Sequence, residues 1–213
     1  MHDEGEAGDA RRPAGLRVET TRLEAFSDGV FAVAITLLVF GIATPHVAQG
    51  RLAPALRAQW PSFATYAVSF LTIGIIWVNH HGTFARIARV DRPLLFINLV
   101  LLMAVSFIPF PTNVLGAYIG QGGDNARAAA VVYAVTMTVM SLGFSGIWIY
   151  VVRRGLLHPE RIDRQRARST VPRFSLGVLI YGASIGLALV SPTLDLVLFA
   201  SLALFYVFDQ QAA

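Results

Sequence analysis

The chain has no cysteine and no lysine. Without thiols there is no disulfide, no thiolate metal site and no cysteine nucleophile. Without lysine, all 17 basic residues are arginine. Charge of either sign is scarce. Only 14% of the residues are charged, against roughly a quarter in soluble domains. What fills the space is apolar: 55% of the 213 residues are hydrophobic and the mean hydropathy is +0.59. This composition describes a polytopic membrane protein. It excludes a soluble enzyme and leaves no room for a second folded domain. The opening stretch, "MHDEGEAGDARRPAGLRVET", lacks the apolar core of a signal peptide. Residues 1–21 read as a disordered cytoplasmic tail.

A helical span needs about 20 apolar residues. Six segments meet that length or approach it: 22–44, 60–85, 93–115, 127–152, 172–190 and 193–209. The expected fold is therefore all-α, a six-helix transmembrane domain over 22–209, with a short cytoplasmic C-terminus at 210–213. Pro61 stands in a first-turn position, where its missing N–H does no harm. Pro109 and Pro111 limit the third helix, and "SPTLD" separates the last two, with Ser191 or Thr193 as N-cap. Arginine alternates with the spans. Arg11, Arg12, Arg17 and Arg22 precede the first; Arg86, Arg89 and Arg92 follow the second; seven more, from Arg153 to Arg173, surround the loop after the fourth. The intervening loops hold only Arg51, Arg57 and Arg127. The positive-inside rule then places both termini in the cytoplasm, in a cell-membrane protein with no nucleic-acid partner. The basic stretch at about 154–171 reads as a topology signal that touches anionic lipid.

The first span carries an acid, Asp28, at the lip of its apolar run "GVFAVAITLLVFGIAT". Such a charge needs a partner. At about 100° per residue, Arg22, Phe26, Gly29, Val33, Thr36, Leu37 and Phe40 share one face, and Ser27 and Asp28 point away from it. A partner is available in "WVNHHGTFARI" of the second span, where Trp77, His80, His81 and Phe84 have i, i+3, i+4, i+7 spacing. With helices running in opposite directions, these groups and Asp28 lie at similar depth. Indole and imidazole N–H groups would donate to the carboxylate and to the Ser27 hydroxyl. Adjacent histidines do not converge as a His-x-x-x-His pair does, so no metal site is expected. A packing network is the simpler use of the cluster; a proton relay is the other.

Three motifs in order, "RLEAFSDGVFAVAITLLV", "IWVNHHGTFARI" and "SFIPFPT", resemble the transmembrane protein 175 family of potassium channels in its single-repeat prokaryotic form. The Arg-x-x-x-Phe-Ser-Asp signature stands as Arg22, Phe26, Ser27 and Asp28, and Trp-x-x-His-His as Trp77, His80 and His81. The resemblance implies six helices per subunit, a homotetramer, and a central pore lined by the first helices. It implies apolar constriction layers at Val33, Leu37 and Phe40 and a hydroxyl layer at Thr36. Val33 is smaller, and Phe40 bulkier, than the aliphatic residues the family uses there. No carbonyl filter of the "TVGYG" kind is present. Ions would then cross a poorly wetted tube, and potassium, which sheds water more easily than sodium, would be favoured modestly. Arg22 would pair with Asp28 or Glu24, within or between subunits. The permeant ion is the only ligand implied, with no cofactor. The rival readings are a secondary transporter or proton-coupled protein using Asp28, His80 and His81, and a membrane enzyme or non-conducting scaffold. The transporter would need a break near mid-membrane. The prolines at 109 and 111 are read here as lying toward an outer end.

Overall fold

The computed structural model describes residues 20–160, 162 and 164–209. Of the tail expected at 1–21, Thr20 and Thr21 instead form the start of α1; residues 1–19 and the expected C-terminus at 210–213 lie outside the described residues. Helix α1 (Thr20–Leu37) tightens into a 3₁₀ turn, Leu38–Gly41. A short helix α2 (Leu52–Ala58) precedes α3 (Trp60–Phe84). Then come α4 (Arg92–Phe107), α5 (Pro109–Tyr118), α6 (Gly123–Arg154), α7 (Arg164–Val190) and α8 (Pro192–Asp209). The described chain is all-helical apart from one isolated bridge. Four stretches are long and apolar enough to cross a membrane: Thr20–Gly41, Trp60–Phe84, Arg92–Gln121 and Gly123–Arg154. The apolar parts of α7 and α8, Leu176–Val190 and Pro192–Phe208, are shorter.

The third stretch differs from the sequence expectation. Helix α4 ends at Phe107, before the prolines as expected, but the apolar stretch does not end there. Pro109 and Pro111 open α5, in the first turn where their missing N–H groups would be unpaired anyway. The hydrogen-bond ladder is interrupted at Ile108, whose N–H bonds Val105 O three residues back at 3.1 Å while its backbone stays helical (φ −52°, ψ −38°), and the stretch runs on to Gln121. The interruption therefore falls near the middle of a 30-residue stretch, not at its outer end. Ser191 behaves as expected, its hydroxyl accepting from the Leu194 N–H at 3.4 Å.

Helix α1 packs against α3 and α4 and leaves its other side open. Helix α8 packs against α3, α6 and α7. At the end rich in arginine, two loops are joined. Gly155 takes a left-handed conformation (φ 64°) that ends α6 and turns the chain back. Ala88 N–H then bonds Leu156 O at 2.8 Å, and His158 N–H bonds Arg86 O at 2.9 Å. Asp91 completes the joint: it caps Leu94 N–H at 3.0 Å and accepts from the Tyr150 hydroxyl at 2.7 Å. These bonds hold the arginine-rich ends of α3, α4 and α6 at one level.

Candidate pore-lining helix and its polar anchor

Helix α1 has two faces. Leu23, Ser27, Phe31, Ala34 and Leu38 are buried. Their i, i+4, i+8, i+11, i+15 spacing makes one stripe, turned toward α3 and α4. Arg22, Phe26, Gly29, Val33, Thr36, Leu37 and Phe40 are all exposed. The face derived from the helical wheel is thus the face the protomer leaves uncovered. Exposure reaches 56% at Val33 and 80% at Phe40. Apolar exposure is also found on other helices, at positions such as Met103 and Leu179. The α1 stripe also carries an exposed hydroxyl, Thr36, as the Met103 face carries Ser106. The Thr36 hydroxyl donates to Val33 O at 2.9 Å. With the proton committed to the backbone, the oxygen lone pairs face outward, the polarity a cation requires.

The stripe is held in place by polar contacts on the opposite side. The Trp77 indole N–H donates to Asp28 Oδ1 at 2.8 Å, as the sequence suggested. The second contact differs from the expectation. His80 does not reach Ser27 directly; Asn98 of α4 lies between them. Asn98 Nδ2 donates to Ser27 Oγ at 3.0 Å, and Asn98 Oδ1 meets His80 Nε2 at 2.9 Å. Ser27 Oγ in turn donates to Leu23 O at 2.8 Å. The order of donors fixes the rest: the amide oxygen must accept, so His80 carries its proton on Nε2. His80, Asn98 and Ser27 are buried to within 1% of fully enclosed. The His80 ring stacks on Phe84 at 4.3 Å and meets Phe31 at 5.3 Å.

The Trp77, His80, His81 and Phe84 stripe therefore divides. His80 and Phe84 form its buried edge; Trp77 and His81 are exposed, with rings 6.4 Å apart. His81 stays outside the buried network. Arg22 forms no ion pair with Asp28 or Glu24 inside the protomer; among the described residues the ion pair is Arg127–Asp124 at 3.0 Å. No group of three His, Asp or Glu gathers to hold a metal among the described residues. Sequence reasoning missed Asn98. Its signal was an amide standing inside the apolar run "LLFINLVLLM".

A second buried network ties α3, α5 and α6 beside Ile108. Thr112 Oγ1 lies 2.8 Å from both Ser69 Oγ and Ile108 O, and Ser69 Oγ lies 3.0 Å from the Tyr133 hydroxyl. Behind the 3₁₀ turn of α1, Leu38, Gly41, Ser62, Thr65, Thr112 and Asn113 line a cavity of about 10 Å³. That volume suits one water and is far too small for a hydrated ion.

A family profile described as "Endosomal/lysosomal potassium channel TMEM175" matches residues 22–109, the range that contains both anchor networks on α1. The chain is 50% identical to Potassium channel B446_29190 of Streptomyces collinus over 194 residues, covering 90% of this chain and 93% of that one. It is 36% identical to Potassium channel Cha6605_3372 of Chamaesiphon minutus over 197 residues, covering 91% and 96%. The fold is similar to a crystal structure described as a lysosomal potassium-selective channel TMEM175 homolog from Chamaesiphon minutus. The TM-score is 0.80 at 35% identity, over 90% of this chain and 97% of that one. With half its residues shared along nearly the whole of one relative, and the fold of another reproduced, the chain belongs to the TMEM175 family of potassium channels.

Proposed function

We propose that this protein is a potassium-permeable channel, a homotetramer whose central pore is lined by the exposed face of α1. The observation that carries the reading is the division of α1: one side is buried and hydrogen-bonded, and the other is uncovered and carries Thr36 among Val33, Leu37 and Phe40. Four copies of that face around an axis would form a narrow apolar tube with one ring of outward lone pairs. A cation entering sheds part of its water, and the Thr36 ring returns part of that cost. Potassium loses less than sodium, so selectivity is modest, and the apolar layers can close by dewetting. Arg22 is left unpaired within the protomer and would meet Asp28 or Glu24 of the neighbouring copy. Helices α7 and α8 serve as the fifth and sixth spans; at 18 residues α8 is about 27 Å long, close to the hydrocarbon thickness. Both termini are cytoplasmic in the cell membrane, and the permeant potassium ion is the only ligand required.

The experiment is cation flux from liposomes that hold the full chain, loaded with potassium and facing sodium, with Thr36→Ala and Leu37→Ala alongside. Potassium flux should exceed sodium flux, and the variants should change the ratio or the rate. The rival is a transporter built on a discontinuous helix; at Ile108 only the hydrogen-bond ladder is interrupted, and the backbone stays helical (φ −52°, ψ −38°). The same assay separates the two: a transporter gives flux that saturates and requires a counter-ion gradient, and it is indifferent to Leu37→Ala.

A further inference from the structure

Asp195 is fully buried, and among the described residues neither of its carboxylate oxygens has a hydrogen-bond partner. It stands in the first turn of α8, on the face that also buries Phe199 and Ala203. Phe199 is held on two sides. It stacks on Tyr181 of α7 at 5.7 Å and meets Tyr133 of α6 edge-on at 5.0 Å. Tyr133 in turn bonds Ser69 of α3. Asp195 lies one turn before Phe199 on the same buried face of α8, a helix that packs against α3, α6 and α7.

No cation from those partners answers it. Between Trp60 and Trp77, α3 has no charged residue, and its ionisable group there is Tyr66. Between Leu176 and Val190, α7 has none, and its ionisable group is Tyr181. On the first half of α6 the charges are Asp124 and Arg127, tied to each other at 3.0 Å and largely exposed; Tyr133 is the buried ionisable group. On α8 itself the next ionisable residue is Tyr206, eleven positions and about 16 Å along the helix. An unpaired charge in such a place is very costly, whereas a neutral acid is tolerated.

We propose that Asp195 is a proton site built into the helix bundle. The carboxyl carries a proton while α8 is docked, and loss of that proton loosens the first turn of α8 from α3, α6 and α7. In the step the O–H bond breaks, the electron pair stays on the carboxylate, and the proton leaves to water about one turn away at the helix end. This site lies apart from the α1 face and does not depend on the pore reading.

The test uses the full chain in phosphatidylcholine liposomes. The infrared spectrum at neutral pH should contain the carbonyl stretch of a protonated carboxylic acid, moved by D₂O and lost in Asp195→Asn. Raising the pH should remove the band. Amide hydrogen exchange over Pro192–Phe208 should then accelerate in the wild type and stay flat in Asp195→Asn. Should Asp195→Asn fail to fold, Asp195→Glu must move the band and the pH at which it disappears. Absence of the band at neutral pH, its survival unchanged in the variants, or exchange that does not follow it would each overturn the proposal.

Discussion

Asn98 spans the gap between α1 and α3, accepting from His80 and donating to Ser27. Its replacement by alanine leaves His80 Nε2–H buried without an acceptor and removes one bond from Ser27. Interhelical bonds in membranes are worth about 0.6 kcal/mol on average and up to about 1.7, because the separated helices find other partners. The full enclosure of this site puts Asn98→Ala toward the upper end. Trp77→Phe removes the donor to Asp28 at a half-exposed position, where other groups can replace it. Thermal unfolding in detergent should therefore show a larger fall for Asn98→Ala than for Trp77→Phe, and the reverse order would contradict this assignment of the anchor. The Asp28–Trp77 contact was legible in the sequence because both groups stood out at matching depth. The Asn98 link was not, because a two-helix comparison gives no place to a residue from a third. His81 looked equivalent to His80 by spacing; a rotation of one residue, about 100°, separates the enclosed ring from the exposed one.

At the scale of elements, the close approach of α5 to α3 depends on Gly116. A Cβ there would lie 2.7 Å from Thr65 Oγ1 and 3.0 Å from the Ser62 Cα. The second contact is backbone, so the helices must separate. Gly116→Ala should cost about 1–3 kcal/mol, the usual range for overpacking, read as a lower unfolding midpoint. Gly29 is the contrast. A Cβ there meets nothing within 4 Å in the protomer. Gly29→Ala should leave the protomer as stable or gain up to about 1 kcal/mol from helix propensity. A loss of stability there would mean that the α1 face is already packed in the protomer. Hydropathy and proline position located most of these helices to within a few residues. The prolines marked the end of α4 correctly, but a proline reads as a stop, and so α5, whose first turn two prolines fill, was not foreseen. The loop pairing of Ala88 with Leu156 was also illegible, since it joins segments almost seventy residues apart with no side-chain pattern to announce it.

At the scale of the whole molecule, the cavity behind the 3₁₀ turn of α1 is water-sized, far below what a hydrated ion needs. In the proposed function, conduction is a property of several copies that share the α1 face. The absence of cysteine makes this directly measurable, because a single introduced thiol reacts without background. The decisive measurement is potassium flux from liposomes holding single variants, Val33→Cys, Thr36→Cys and Phe40→Cys on the open face and Ala34→Cys on the buried one, before and after a small charged thiol reagent. The expected result is block at the three open-face positions, with Ala34→Cys unaffected. Flux that persists after the open-face thiols have been modified would contradict the pore and leave that face to lipid.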